Sequence, residues 1–190
     1  MEKERMKAFV LVDYTKDFVE SDGKLTAGKS AQMIDGAIAT AIEKRLTAGD
    51  CVFVINDLHL ESDTEHPETK LFPAHNVKGT PGRDVYGKTG QMLKKYENRL
   101  DKQIFVMDKF RYSAFVGTAL DILLRQKNIK EIELAGVCTD ICILHTAISA
   151  YNLGYAVTID ASQVASFNAD GHAWALMHFK TALGFTVKEK

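Results

Sequence analysis

Three residue types that together support covalent catalysis stand at or just after apolar runs. Asp13 and Lys109 each close such a run, and Cys142 follows a third within a few residues. A cysteine attacks a carbonyl carbon as the thiolate, and a carboxylate beside a lysine can accept its proton. Each residue alone also has a structural explanation: a turn or cap for Asp13, a solvated cation for Lys109, a small buried side chain for Cys142. The combination indicates nucleophilic catalysis by the thiol.

The segment "GVCTDICILHTA" (136–147) carries two of the three cysteines, Cys138 and Cys142. If Thr139 or Asp140 caps the following helix, Cys142 lies in its first turn, where free N–H groups and the helix dipole lower the pKa of a thiol. The same N–H groups can bind an oxyanion. A disulfide at this spacing is geometrically feasible, but a reducing compartment disfavours it, and two cysteines alone do not make a structural zinc site.

A second group of potential ligands lies in the polar segment "DLHLESDTEHPETKLFPAH" (57–75). Asp57 and His59 are two residues apart, so their side chains point the same way in an extended segment. Carboxylates and imidazoles bind Zn²⁺, Mn²⁺ or Fe²⁺ without any thiolate. The alternative is a solvated acidic loop that happens to contain histidines. The candidate ligands are Asp57, His59, His66, Glu68 and His75.

Apolar runs alternate with helical patterns along the chain, which predicts strands joined by crossover helices. Predicted strands cover 7–14, 51–57, 103–109, 131–136, 155–162 and 185–189, predicted helices cover 30–50, 118–128, 139–154 and 171–184, and 58–101 is predicted to be a long functional loop. We therefore expect an α/β fold, a three-layer αβα arrangement with a mostly parallel sheet of about six strands. Ligands bind at the carboxyl ends of such strands, where the residues above lie.

The composition excludes several classes of protein. The chain has 24 basic and 25 acidic residues without a basic block, so nucleic acid is not an expected partner. No apolar run reaches the ~18 residues of a membrane span, and the charged start "MEKERMKAF" lacks the apolar core of a secretory signal. Three cysteines without a disulfide pattern predict reduced thiols and a cytoplasmic location.

Four motifs occur in the order of one family: "LVDYTKDF" (11–18), "DLH" with "LFPAHN" (57–59, 71–76), "MDKFRYSAF" (107–115) and "GVCTDICILHTAISAYNLGY" (136–155). On these motifs the chain resembles the isochorismatase-like cysteine hydrolases and, within them, the nicotinamidases. The resemblance runs from the first predicted strand to the fifth. It implies a single isochorismatase-like hydrolase domain over 1–190, with a metal-binding loop at about 57–76.

The resemblance also implies a role for each catalytic position. Asp13 matches the general base, Lys109 the catalytic lysine and Cys142 the nucleophile. The peptide bond between Val137 and Cys138 is expected to be cis. The backbone N–H groups of Cys138 and Cys142 would then form the oxyanion hole, and the Cys138 thiol would take no part.

The metal ligands implied by the resemblance are Asp57, His59 and His75. Glu68 fits the fourth position of relatives that carry an "HPE" segment, and His66 is its rival. The expected cofactor is a divalent metal ion. Zn²⁺ is the expected ion, and Fe²⁺ and Mn²⁺ are the alternatives.

The implied reaction is metal-dependent deamidation of nicotinamide to nicotinate and ammonia through a thioester, a step of NAD salvage. Phe18, Phe72 and Tyr112 would bind the ring of this small-molecule substrate or of pyrazinamide, although core packing explains these aromatic residues equally well. Assembly into a homo-oligomer is left open. The alternatives are a related amidohydrolase acting on an N-carbamoyl or ureido substrate, and a non-catalytic metal-binding protein of the same fold.

Overall fold

The computed structural model describes residues 6–97 and 103–189. Its centre is a six-stranded sheet in which every neighbouring pair of strands is parallel, in the order β3-β2-β1-β4-β5-β6. The expected α/β fold with about six strands is therefore confirmed. The strands are β1 (Ala8–Val12), β2 (Cys51–Asp57), β3 (Ile104–Lys109), β4 (Glu131–Val137), β5 (Ala156–Ala165) and β6 (Thr186–Lys188).

Helices cover both faces of the sheet, and this gives the three predicted layers. The α-helices among the described residues are α1 (Lys16–Val19), α2 (Lys29–Met33), α3 (Asp35–Thr47), α4 (Gly87–Glu97), α5 (Leu120–Gln126), α6 (Leu144–Leu153) and α7 (Ala169–Thr181). None of the helices in the described part of the chain is long and apolar enough to cross a membrane.

Strand β1 lies at the centre of the sheet, and all five of its residues are buried. Successive side chains point to opposite faces, so Phe9 packs in the same cluster as Ile42 of α3, whereas Val10 packs with Leu124 of α5 and Phe179 of α7. Burying one such side chain contributes roughly 1.5–3 kcal/mol. A strand buried on both faces leaves an unbroken apolar run in the sequence, which is why the central strands were predictable.

The segment between β2 and β3 contains more regular structure than the sequence predicts. Helix α4 and the 3₁₀ turns Pro67–Lys70 and Pro81–Arg83 lie within the predicted loop 58–101, whose residues 98–101 are outside the described residues. The start of α4 is held by another helix, because the carboxylate of Asp35 accepts the N–H groups of Lys88 and Thr89 at 2.8 and 3.0 Å. A cap supplied from α3 leaves no local signal in the sequence of α4.

Two predicted helices also differ from the structure. The helix predicted over 30–50 is divided into α2 and α3. The helix predicted over 139–154 begins as a π-helical turn, Thr139–Ile143, before α6. Neither Thr139 nor Asp140 acts as the cap that the sequence suggested, because the N-terminal cap position is Cys138. Cys142 therefore lies in the π-helical turn.

Candidate active site

The carboxyl ends of β1 and β3 bring the predicted base and lysine together. Asp13 follows β1 directly and has a left-handed backbone, with φ of 56°. Its Oδ2 lies 2.7 Å from the Nζ of Lys109, the last residue of β3, and both side chains are completely buried. The same Nζ is 3.8 Å from the Sγ of Cys142. The three residues are therefore in mutual reach.

Burial and the neighbouring charges together set the protonation states of Asp13, Lys109 and Cys142. Burial raises the pKa of the Cys142 thiol well above the ordinary value, against the nearby Lys109 ammonium, which lowers it. Burial also raises the pKa of Asp13, again opposed by Lys109. For Lys109, burial would lower the pKa, but Asp13, Cys142 and Asp57 outweigh it and raise the pKa. The expectation of a lowered thiol pKa is therefore wrong for the resting protein.

The consequence is a protonated thiol that faces a buried carboxylate. An acid with a raised pKa is a stronger base once ionised, and Asp13 is placed to hydrogen-bond to the thiol of Cys142. Lys109 keeps its positive charge beside both groups. Proton transfer from sulfur to carboxylate thus needs no movement of the backbone.

The turn that carries Cys142 is fixed by contacts from several elements. The peptide bond between Val137 and Cys138 is cis, as the resemblance implies. The N–H groups of Ile141 and Ile143, on either side of Cys142, both donate to the carbonyl oxygen of Cys138 at 3.1 Å. The turn therefore holds the backbone of Cys142 at a defined position after the end of β4.

The side chains of Thr139 and Asp140 connect this turn to neighbouring elements instead of capping its helical N-terminus. Thr139 Oγ1 hydrogen-bonds to Nδ1 of His172 on α7 at 2.8 Å. The Ser166 hydroxyl, just after β5, donates to Oδ1 of Asp140 at 2.6 Å. Sequence reasoning did not identify His172 or Ser166. The only signal available was that both follow the carboxyl end of β5.

Four residues of the β2 end and the following loop form a potential metal site. Asp57, His59, Glu68 and His75 are buried, and one ligand atom from each lies within 4.8 Å of the others. Asp57 Oδ2 is 2.7 Å from His59 Nε2 and 3.3 Å from His75 Nε2, while Glu68 Oε2 is 3.6 Å from His75 Nε2. Two carboxylates and two imidazoles match the donors that zinc, iron and manganese accept.

The hydrogen bonds of His75 show which of its ring nitrogens is available to a metal ion. The Nδ1–H of His75 donates to the carbonyl oxygen of Pro73 at 2.9 Å, which leaves the lone pair on Nε2. This Nε2 is buried, and among the described residues its polar neighbours are the carboxylates of Asp57 at 3.3 Å and Glu68 at 3.6 Å. A buried nitrogen with a free lone pair, facing two carboxylates, is suited to a divalent cation. The donor set therefore fits the expected metal.

The structure separates Glu68 from its rival His66. Nε2 of His66 donates to the carbonyl oxygen of Phe110 at 2.9 Å, and its Nδ1 accepts the N–H of Glu68 at 3.3 Å. Both ring nitrogens are thus engaged outside the metal group, whereas the Glu68 carboxylate belongs to it. His66 supports the backbone of Glu68 instead of offering a ligand atom.

The two groups share one cavity. The predicted nucleophile Cys142 and the potential ligands Asp57 and Glu68 all line it. Most of the remaining lining is apolar, which suits a flat aromatic ring. The rest of the lining consists of the predicted Phe18, Phe72, Tyr112 and Cys138 together with Leu25, Ile141 and Phe167, which the sequence analysis did not identify.

Comparisons with known proteins agree with this architecture. A family model described as the isochorismatase domain matches residues 7–188, and the chain belongs to the isochorismatase family. The resemblance noted in the sequence is thereby confirmed. Over 183 residues the chain is 51% identical to a Bacillus subtilis (strain 168) protein named uncharacterized isochorismatase family protein PncA, covering 96% of this chain and 99% of that one.

Solved structures give the same result in three dimensions. The pyrazinamidase/nicotinamidase from Streptococcus mutans UA159 superposes with a TM-score of 0.92 at 54% identity, covering 95% of this chain and 99% of that chain. The nicotinamidase SaPncA from Staphylococcus aureus superposes with a TM-score of 0.83 at 42% identity, covering 96% of this chain and 98% of that chain.

Proposed function

We propose that this protein is a nicotinamidase, an amidohydrolase that converts nicotinamide to nicotinate and ammonia within NAD salvage. The observation that carries the proposal is the shared cavity, where Cys142 and two residues of the metal group, Asp57 and Glu68, line the same largely apolar space. The solved relatives that are named as nicotinamidases support the choice of substrate. Pyrazinamide, which has a similar ring and the same amide, is a second expected substrate.

The first step is attack of Cys142 on the amide carbon. Asp13 accepts the thiol proton, and Lys109, 2.7 Å from the Asp13 carboxylate and 3.8 Å from the sulfur, stabilises the negative charge on both. The bond between sulfur and carbon forms while the carbonyl oxygen gains negative charge. The backbone N–H groups of Cys138 and Cys142 are proposed to bind this oxygen.

The second half of the reaction uses the same base. Asp13 returns the proton to the leaving nitrogen, so that ammonia departs and a thioester on Cys142 remains. Asp13 then removes a proton from a water molecule, which attacks the thioester carbon. The sulfur leaves as the thiolate and is protonated again, and nicotinate is released.

Asp57, His59, Glu68 and His75 would hold the metal. When bound, a divalent ion supplies a Lewis acid for the ring nitrogen of the substrate, which orients the amide. Zinc is the proposed ion, with iron or manganese as alternatives. The aromatic side chains of Phe18, Phe72 and Tyr112, which line the cavity, are proposed to confine the ring.

Location and assembly stay predictions. The three cysteines are free and buried, which fits the reducing cytoplasm.

The test is ammonia release from nicotinamide by purified protein before chelation, after chelation and after return of Zn²⁺. We expect activity that chelation removes and zinc restores, and Cys142→Ala should abolish it while the melting temperature is kept. Cys51→Ala is the matched control, because this buried cysteine lies at the start of β2, at the opposite end of the sheet. Hydrolysis of an N-carbamoyl amino acid but not of nicotinamide would refute the proposal.

A further inference from the structure

A buried polar group joins the metal-binding loop to the turn that carries the base. It consists of Thr15, Asp17 and Asn76, which we name the Asn76 clamp. The N–H of Asn76 donates to Oδ2 of Asp17 at 2.7 Å, and the Thr15 hydroxyl donates to Oδ1 of Asn76 at 2.8 Å. Thr15 and Asn76 are completely buried and Asp17 is 8% exposed. None of the three belongs to the site described above.

The clamp touches both histidines of the metal group through the backbone. Asn76 directly follows His75 in the chain, and its carbonyl oxygen accepts the N–H of His59 at 3.1 Å. On the other side, the N–H of Thr15 donates to the carbonyl oxygen of Asp13 at 2.9 Å. Asn76 therefore connects His59 and His75 through the backbone, and Thr15 connects Asn76 to the end of β1.

The conformation of Asn76 is specialised for this position. Its φ is 45°, a left-handed backbone that non-glycine residues other than Asn and Asp seldom adopt. This backbone turns the N–H toward Asp17 and the carbonyl toward His59 at the same residue. A second segment is built around Asp17, because a Cβ on Gly82 would overlap the Asp17 carboxylate. Simple packing of an apolar loop would need neither feature.

We propose that Asn76, with Asp17 and Thr15, is a positioning group that holds His59 and His75 in the geometry that binds the metal. The proposal rests on the metal site of the proposed function and deepens it. Hydrogen-bonded partners beyond the ligands commonly change metal affinity 10–100-fold when they are removed. Here the partners act through the backbone of the ligands instead of their ring nitrogens.

The test is the dissociation constant for Zn²⁺, measured by competition with a chromophoric chelator and without any substrate. Thr15→Val removes one hydroxyl at constant volume, and Asp17→Asn removes the charge that accepts the Asn76 N–H. Asn76→Gly keeps the left-handed backbone and both backbone hydrogen bonds but deletes the side chain. We expect Thr15→Val and Asp17→Asn to weaken Zn²⁺ binding about 10–100-fold, and Asn76→Gly to weaken it as much as Thr15→Val does.

Lys16→Ala is the control, because its side chain lies between the two clamp positions in sequence but pairs with Asp84 on the surface. The affinity of Lys16→Ala for Zn²⁺ should equal that of the original protein. The proposal would be overturned if Thr15→Val and Asp17→Asn both bind Zn²⁺ as tightly as the original protein, even if nicotinamide is hydrolysed. Failure of the unmodified protein to bind Zn²⁺ would instead overturn the metal site of the proposed function. If Asp17→Asn does not fold, Thr15→Val decides the outcome, since it changes one hydrogen bond only.

Discussion

Replacing Lys109 by methionine tests the electrostatic core of the site. The ammonium is completely buried, 2.7 Å from Asp13 Oδ2 and 3.4 Å from Asp57 Oδ1. At 2.7 Å and an effective dielectric constant of ~20, Coulomb's law gives about 6 kcal/mol of attraction between Lys109 and Asp13, which desolvation of both charges opposes. Removing one partner of a buried pair typically costs about 3–5 kcal/mol. We expect Lys109→Met to lose that much free energy of unfolding at pH 7.

The pKa of Asp13 determines how the free energy of unfolding of Lys109→Met changes with pH. Lys109 lowers the pKa of Asp13, which burial raises above 3.8, so its removal raises the pKa of Asp13 further. The folded Lys109→Met protein then binds a proton more readily than its unfolded chain does, and its stability falls as the pH rises between the two pKa values. Relative to the unmodified protein, the variant should therefore recover stability as the pH falls through the further raised pKa of Asp13. The acid limb of its residual activity should move to higher pH, because the base must be ionised.

The assay is urea unfolding at pH 7 and pH 5 at one fixed, saturating Zn²⁺ concentration. Lys109→Met combined with Asp13→Asn is the matched control, because it removes both charges of the pair. The double variant should be more stable at pH 7 than Lys109→Met alone, since only one of the two neighbouring anions, Asp57, is then left buried beside the missing cation. A loss below about 1 kcal/mol in Lys109→Met, typical of exposed ion pairs, would refute the reasoning.

Three further predictions concern neighbouring residues. Cys138→Ala should keep kcat/KM for nicotinamide within about threefold, under 1 kcal/mol of barrier, because only its backbone N–H is used. Glu68→Gln should weaken Zn²⁺ binding at least about tenfold in a chelator competition, and His66→Asn less, because both His66 ring nitrogens bind elsewhere. Gly171→Ala should lower kcat about 10–100-fold with little change in KM, because the added Cβ overlaps Asp140 and displaces the turn of the nucleophile.

Each of these three predictions has a result that would contradict it. A loss of 100-fold or so in Cys138→Ala, the size expected for a lost oxyanion donor, would show that its thiol matters. If His66→Asn binds Zn²⁺ more weakly than Glu68→Gln does, His66 and not Glu68 is the fourth ligand. Gly36→Ala is the control for Gly171→Ala, because an added Cβ at Gly36 meets nothing within 4 Å. Equal kcat values in the two alanine variants would contradict the positioning argument.

The sequence alone determined the class of fold and the edge at which the site lies. Strands buried on both faces are rich in apolar residues, so β1 and β2 were predicted within about two residues of their observed ends, and β4 was as well although Glu133 interrupts its apolar residues. Because parallel strands place their carboxyl ends at one edge, Asp13 and Lys109 could be assigned to a common site before any contact was known. These inferences depend on local patterns and on the handedness of crossovers.

Only the tertiary structure decided the features that depend on distant partners. Helix α4 was missed because its start is held by Asp35 of α3. The proposal of Glu68 over His66 as the fourth ligand depends on the carbonyl of Phe110, which occupies one ring nitrogen of His66. The raised pKa of Cys142 depends on its burial by surrounding elements, which opposes the effect expected from a helix start. In each case the deciding contact comes from a residue far away in the chain, and a local sequence pattern cannot encode it.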